Sequence, residues 1–156
     1  MEFMETQPTI TVFVENEAGS NIKHHYNEET LEFLHTEDVG GRYPYPYGFV
    51  PGTLAPDGDS ADCFILTDRH FSTGTAVECE PVALMEQTEG GIVDNNLLAV
   101  LPGGPIPDLS EVTNKLGVFF ESFMKGDAER KSVMGRLLGR QGALDYLETC
   151  RQEAAR

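Results

Sequence analysis

The segment Asp57-Gly58-Asp59-Ser60-Ala61-Asp62 sets three carboxylates around one turn. Asp57 and Asp59 are two apart, so they share a face if the segment is extended, and Asp62, just past the turn, can swing back toward them. Carboxylates at this density repel one another unless a cation neutralises them. Oxygen-only donors suit Mg²⁺ or Mn²⁺. An acidic surface turn is the other reading of the same residues. A second group with chemistry is Lys23-His24-His25. On a strand, Lys23 and His25 share one face and His24 takes the other. A histidine such as His25 acts as an acid or base near neutral pH, or as a ligand favouring Mn²⁺, Fe²⁺, Co²⁺ or Zn²⁺ over Mg²⁺. It also serves as a neutral partner hydrogen-bonded to a carboxylate. His24 and His70 read as surface or structural residues.

The elements that must position these groups follow from periodicity. Residues 9–15 alternate and are β-branched, which predicts a strand. Residues 16–20 form a turn and 21–26 resume a strand, so a hairpin is expected. Residues 31–34 are a short strand candidate. Residues 43–51 are punctuated by proline, which pushes each preceding residue away from helix, so they are extended. Residues 63–67, 76–87 and 97–101 are further strands. A connecting loop over 102–107 ends the β part. Ser110 is the expected N-cap of a helix running to about Met124, with Val112, Leu116, Phe119, Phe120 and Phe123 at core-facing spacing. A last helix covers about 142–155, with Leu144 and Leu147 inward. Strands first and helices last predict an α+β fold, mainly β: a small closed barrel over about 9–101 with helices packed on its outside over about 108–156. Residues 1–156 are expected to form a single domain.

Four ordered stretches carry a resemblance. They are 14–23 ending in Lys23, then Tyr43-Pro44-Tyr45-Pro46-Tyr47-Gly48-Phe49-Val50-Pro51, the Asp57–Asp62 loop, and Glu89 to Asp94 before a strand ending Ala99-Val100. In order and spacing they resemble the soluble (family I) inorganic pyrophosphatases. That resemblance implies a five-stranded OB-like barrel, an acidic cleft and hydrolysis of diphosphate with Mg²⁺. It also implies roles. Asp57, Asp59, Asp62, Glu89 and Asp94 would hold metal, with Asp59 as the water-activating carboxylate and Glu89 standing in for an aspartate. Lys23 and Tyr47 would position phosphate. His25 sits where the family has Glu, and His35 falls near the family's arginine. Asn96 replaces a lysine, Phe123 and Met124 replace a Tyr-Lys pair, and Ser60 replaces the loop's proline. The altered positions His35, Asn96 and Phe123 would still line the substrate. Lys125, Arg130 and Lys131 are candidate replacement cations. Each charge-assisted bond to phosphate contributes about 1.5–3 kcal/mol, so these departures weaken the grip on a highly charged substrate. Two alternatives follow: a repurposed enzyme acting on a less anionic small molecule through the metals and His25, and a non-catalytic metal-binding relative. A homo-oligomer is implied by resemblance.

Composition bounds the rest. A net charge of −15 disfavours nucleic acid and anionic membranes as partners. Cys63, Cys79 and Cys150 are few, odd in number and without zinc spacing, so they read as reduced cytosolic thiols. No leader pattern and no apolar run of membrane-spanning length is seen, and a cytoplasmic protein is expected.

Overall fold

The computed structural model describes residues 7–122 and 132–156; Phe123, Met124, Lys125, Arg130 and Lys131 lie outside the described residues. Eleven elements follow one another: β1 (Ile10–Asn16), β2 (Ile22–Tyr26), β3 (Phe33–Asp38), β4 (Tyr47–Val50), β5 (Ala61–Ile65), β6 (Ala76–Glu89), β7 (Ile92–Val93), β8 (Asn96–Val100), α1 (Leu109–Ser122), β9 (Ser132–Leu138) and α2 (Arg140–Ala154). The order β1-β4-β5-β8-β6 closes when β6 returns to pair with β1, giving a five-stranded ring, the barrel expected from the sequence. All pairings in the ring are antiparallel except β5 with β8. The length of β6 lets one strand do several jobs. Its start pairs β1, its middle pairs β8, and its end carries β7 and β9.

Near-continuous apolar runs in β5 and β8 are explained by burial on both faces. Cys63, Ile65, Leu97 and Ala99 join Val12, Val14, Val50 and Val77 in a cluster fed by all five ring strands, the interior. Phe64, Leu66, Leu98 and Val100 point the other way, against Val112, Leu116 and Phe119 of α1. Helix α1 therefore covers the outside, as expected. Helix α2 differs: its Ala143, Leu147 and Cys150 belong to the interior cluster. Gly48 has a steric reason. A Cβ there would run into the Phe13 carbonyl, because β4 lies close against β1 at the Val14–Gly48 pair.

Several expectations need correction. The β1–β2 hairpin is not a ladder; β2 pairs β3 in a separate two-stranded sheet. The strand anticipated at 31–34 runs over Phe33–Asp38 instead, and β9 went unread because its residues are mostly exposed and lack alternation. The N-cap of α1 is Asp108, not Ser110: the Asp108 Oδ1 accepts from the Ser110 N–H at 2.9 Å, and the Asp108 carbonyl accepts from Val112. An aspartate two residues earlier is an equally good cap, and its carboxylate is the one that meets a first-turn N–H. Cys63, Cys79 and Cys150 are all buried and free.

Candidate functional site

The Asp57–Asp62 loop is built by its own backbone. The Asp57 Oδ1 accepts the Asp59 N–H at 3.0 Å, and the Ala55 N–H donates to the Asp59 carbonyl at 2.7 Å. This Asx turn needs Gly58 at φ 92°, a left-handed conformation that glycine adopts without a Cβ clash. The turn delivers Asp62 onto β5, where it lies beside Asn96 of β8. Two residues before Asn96, Asp94 is held by its N–H donating to the Gln87 carbonyl at 2.9 Å. Carboxylate oxygens of Asp57, Asp62 and Asp94 all come within 4.8 Å of one another. Unit charges at that spacing repel by roughly 3–4 kcal/mol per pair at an effective dielectric near 20.

The electrostatics follow. Burial, then the charges of Asp57 and Glu89, push Asp94 up to about 7, and Asp94 hydrogen-bonds with both Asp62 and Glu89. Asp62 is raised well above the carboxylate range by burial and by Asp94. Asp59 is raised by burial and by Asp57. Such a set holds protons, or it holds a cation in their place. An all-oxygen donor set of this density fits a hard divalent ion.

These groups line an open cleft of about 1110 Å³. Among the sequence-derived candidates, Asp57, Asp59, Asp62, Glu89 and Asp94 all reach it, as do Lys23, His25, Tyr47 and Asn96. His35 is not part of its wall. It pairs across the sheet with His25, and the two rings stack at 4.4 Å between centroids. The His25 Nε2 stands 3.5 Å from Glu37, too long for a strong hydrogen bond. Burial, with Lys23 and His35, lowers the pKa of His25, so its imidazole is neutral at pH 7. Phe123 lies outside the described residues. His24 turns away from this face: its N–H donates to the Asn16 Oδ1 at 2.7 Å, and His70 sits exposed beside Glu17.

Sequence reasoning did not single out Glu15, Glu28 or Tyr43, and all three line the cleft. Glu15 is 5% exposed and is pushed up to about 8, chiefly by burial. It alternates away from Val14, which faces the ring interior, onto the outer face where Tyr47 and Phe64 also line the cleft. Tyr43 stacks on Tyr47 at 5.3 Å, and burial raises the pKa of both hydroxyls. Asn96 is 2% exposed, and its amide donates to the Asp94 carbonyl at 3.3 Å. Among the described residues, Lys23 is the one lysine or arginine in the cleft wall, against eight aspartates and glutamates.

Comparison with known proteins agrees with this geometry. The sequence profile of the family described as "Inorganic pyrophosphatase" matches residues 12–155. The inorganic pyrophosphatase of Saccharolobus solfataricus is 33% identical over 129 residues, covering 73% of each chain. That of Nostoc sp. is 29% identical over 137 residues, 81% of this chain and 80% of the relative. Among solved structures, the inorganic pyrophosphatase of Helicobacter pylori superposes with a TM-score of 0.83 at 25% identity, covering 99% of this chain and all of the other. That of Neisseria gonorrhoeae superposes at 0.84 with 22% identity, over 95% of this chain and 92% of the other, a likeness of fold.

Proposed function

This chain belongs to the inorganic pyrophosphatase family, and on that footing we propose that it hydrolyses diphosphate to two phosphates with a bound divalent metal, Mg²⁺ in the first instance. The observation that carries the proposal is the convergence of Asp57, Asp62 and Asp94, whose oxygens lie within 4.8 Å of one another. These three would hold the metal, with Glu89 hydrogen-bonded behind Asp94. A divalent ion there supplies charge neutralisation at the phosphoryl oxygens and a lowered pKa for bound water. Asp59, at the lip of the same loop, accepts the proton of the attacking water at its carboxylate. Lys23 donates to the outer phosphate oxygens and the Tyr47 hydroxyl, neutral throughout, donates beside it. His25 enters as a neutral donor or acceptor rather than a cation. Asn96 offers an amide in place of charge. With one lysine in the described wall, the metals carry more of the substrate's charge than side chains do, so turnover is modest and metal-hungry.

The same proposal includes a homo-oligomer, for which Val133, Met134 and Leu137 of β9 offer exposed apolar side chains. It includes a cytoplasmic setting, supported by three free cysteines and by the absence, among the described residues, of a helix long and apolar enough to cross a membrane. Residues 1–156 are taken as one domain, in keeping with the sharing of one interior cluster by ring strands and α2.

Phosphate release from diphosphate tests the reading, with Mg²⁺, Mn²⁺, Co²⁺ and Zn²⁺ in turn, beside Asp62→Asn. Turnover of at least about 1 s⁻¹ with one metal, cut by about 100-fold or more in the variant, is expected. No release with any metal, from protein that binds metal, sinks it.

A further inference from the structure

The hairpin of β2 and β3 carries Lys23 and His25 into the cleft, yet neither strand belongs to the ring. Its far end is tied to the aspartate loop by one long-range bond. The Ser60 N–H donates to the Glu28 Oε1 at 2.7 Å, across 32 residues of sequence. The hairpin tip is rigid enough to aim that carboxylate. The Asn27 Oδ1 accepts from the N–H groups of Glu29 and Thr30, both at 3.0 Å, the Asn27 carbonyl accepts from Leu31, and the Asn27 N–H donates to the Glu32 carbonyl. Ser60 stands between Asp59 and Asp62 and is 7% exposed, so its N–H has little access to water and needs a partner. Proline, which the family's loop pattern has at this position, has no N–H to satisfy. Ser60 carries that donor, and Glu28 meets it.

The geometry points to Glu28 as a positioning residue: its bond to the Ser60 N–H fixes the Asp59–Asp62 loop in the metal-binding conformation and registers the Lys23 strand against it. Glu28 acts as a hydrogen-bond acceptor, not as a metal ligand. The inference rests on the proposed metal-dependent hydrolysis for its purpose, but its test does not need turnover.

Mn²⁺ affinity is measured calorimetrically on the full chain without substrate, for the native protein, Glu28→Ala, Glu28→Gln, Ser60→Pro and the double variant Ser60→Pro with Glu28→Ala. Thermal melts check that each is folded. Leaving the buried Ser60 N–H without an acceptor predicts a fall in affinity of about 10-fold for Glu28→Ala. Glu28→Gln keeps the acceptor oxygen and holds affinity within about threefold. In the Ser60→Pro background, where no donor remains, Glu28→Ala changes affinity by less than about twofold. Unchanged affinity in Glu28→Ala overturns the inference. So does Glu28→Gln falling as far as Glu28→Ala, which would mean that charge matters, and so does an equal cost of Glu28→Ala in both backgrounds. If the native protein releases no phosphate while this affinity pattern holds, the hydrolytic reading fails and the positioning role stands.

Discussion

Substituting Asp94 with asparagine should stabilise the metal-free protein at alkaline pH while removing most of what metal adds. The Asp94 carboxyl ionises near 3.8 in an unfolded chain and at about 7 in the fold. Well below pH 3.8 both states are protonated and the group contributes nothing. Between 4 and 7 the unfolded state gives up its proton and the folded state keeps it, so folding stability falls as pH rises. Above 7 the cost is complete. A difference of that size corresponds to about 4 kcal/mol, and to about 2–3 kcal/mol after allowance for water screening a partly buried carboxyl. In a chain of this length that is a melting shift of about 6–10 °C. Thermal melts in chelator should therefore show Asp94→Asn above the native protein by that margin at pH 8 and by about a quarter of it near pH 4.5. With excess Mg²⁺ at pH 8 the native protein gains most and the margin closes or inverts, because the ion neutralises the charge that Asp94 carries there. Equal melting temperatures at pH 8 in chelator would refute the reasoning. A margin as large at pH 4.5 as at pH 8 would also refute it, since the advantage would then owe nothing to ionisation.

Two further outcomes probe the scaffold. Asp108→Ala removes the cap of α1 and should cost about 1 kcal/mol, a drop of about 3 °C, whereas Ser110→Ala changes little; urea titrations of the two variants reverse the assignment if Ser110→Ala is the costlier. Leu31, at φ 62° and 41% exposed, holds a left-handed conformation at the hairpin tip, so Leu31→Gly should stabilise by about 0.5–1 kcal/mol in the same titration. Destabilisation there would mean that the Leu31 side chain contributes more by packing than its backbone costs.

The chemistry of the aspartate loop and the strands of the barrel were legible in the sequence because their signals are local. Asp57, Gly58 and Asp59 make an Asx turn among themselves three residues before Asp62, and the apolar runs of β5 and β8 state their own burial. The order of motifs from Lys23 to Asp94 was enough to indicate the family. What sequence reasoning missed depends on partners far along the chain. Glu15 reads as the outward end of a strand, and only the folded chain sets Lys23, Tyr43 and Asp59 around that face. Glu28 reads as one acid among several in a polar turn, and only the folded hairpin brings it to Ser60. His35 shares its sequence signal with His25, but the pairing of β2 with β3 stacks it behind its neighbour, outside the cleft wall. Strand β9 could not be read because its residues face solvent, and the partner that makes it a strand is the far end of β6. Side-chain types and short-range spacing determine which groups can do chemistry. Which of them meet, and whether a carboxyl carries a charge or a proton when they do, depends on desolvation and on distances that exist only after the ring has closed.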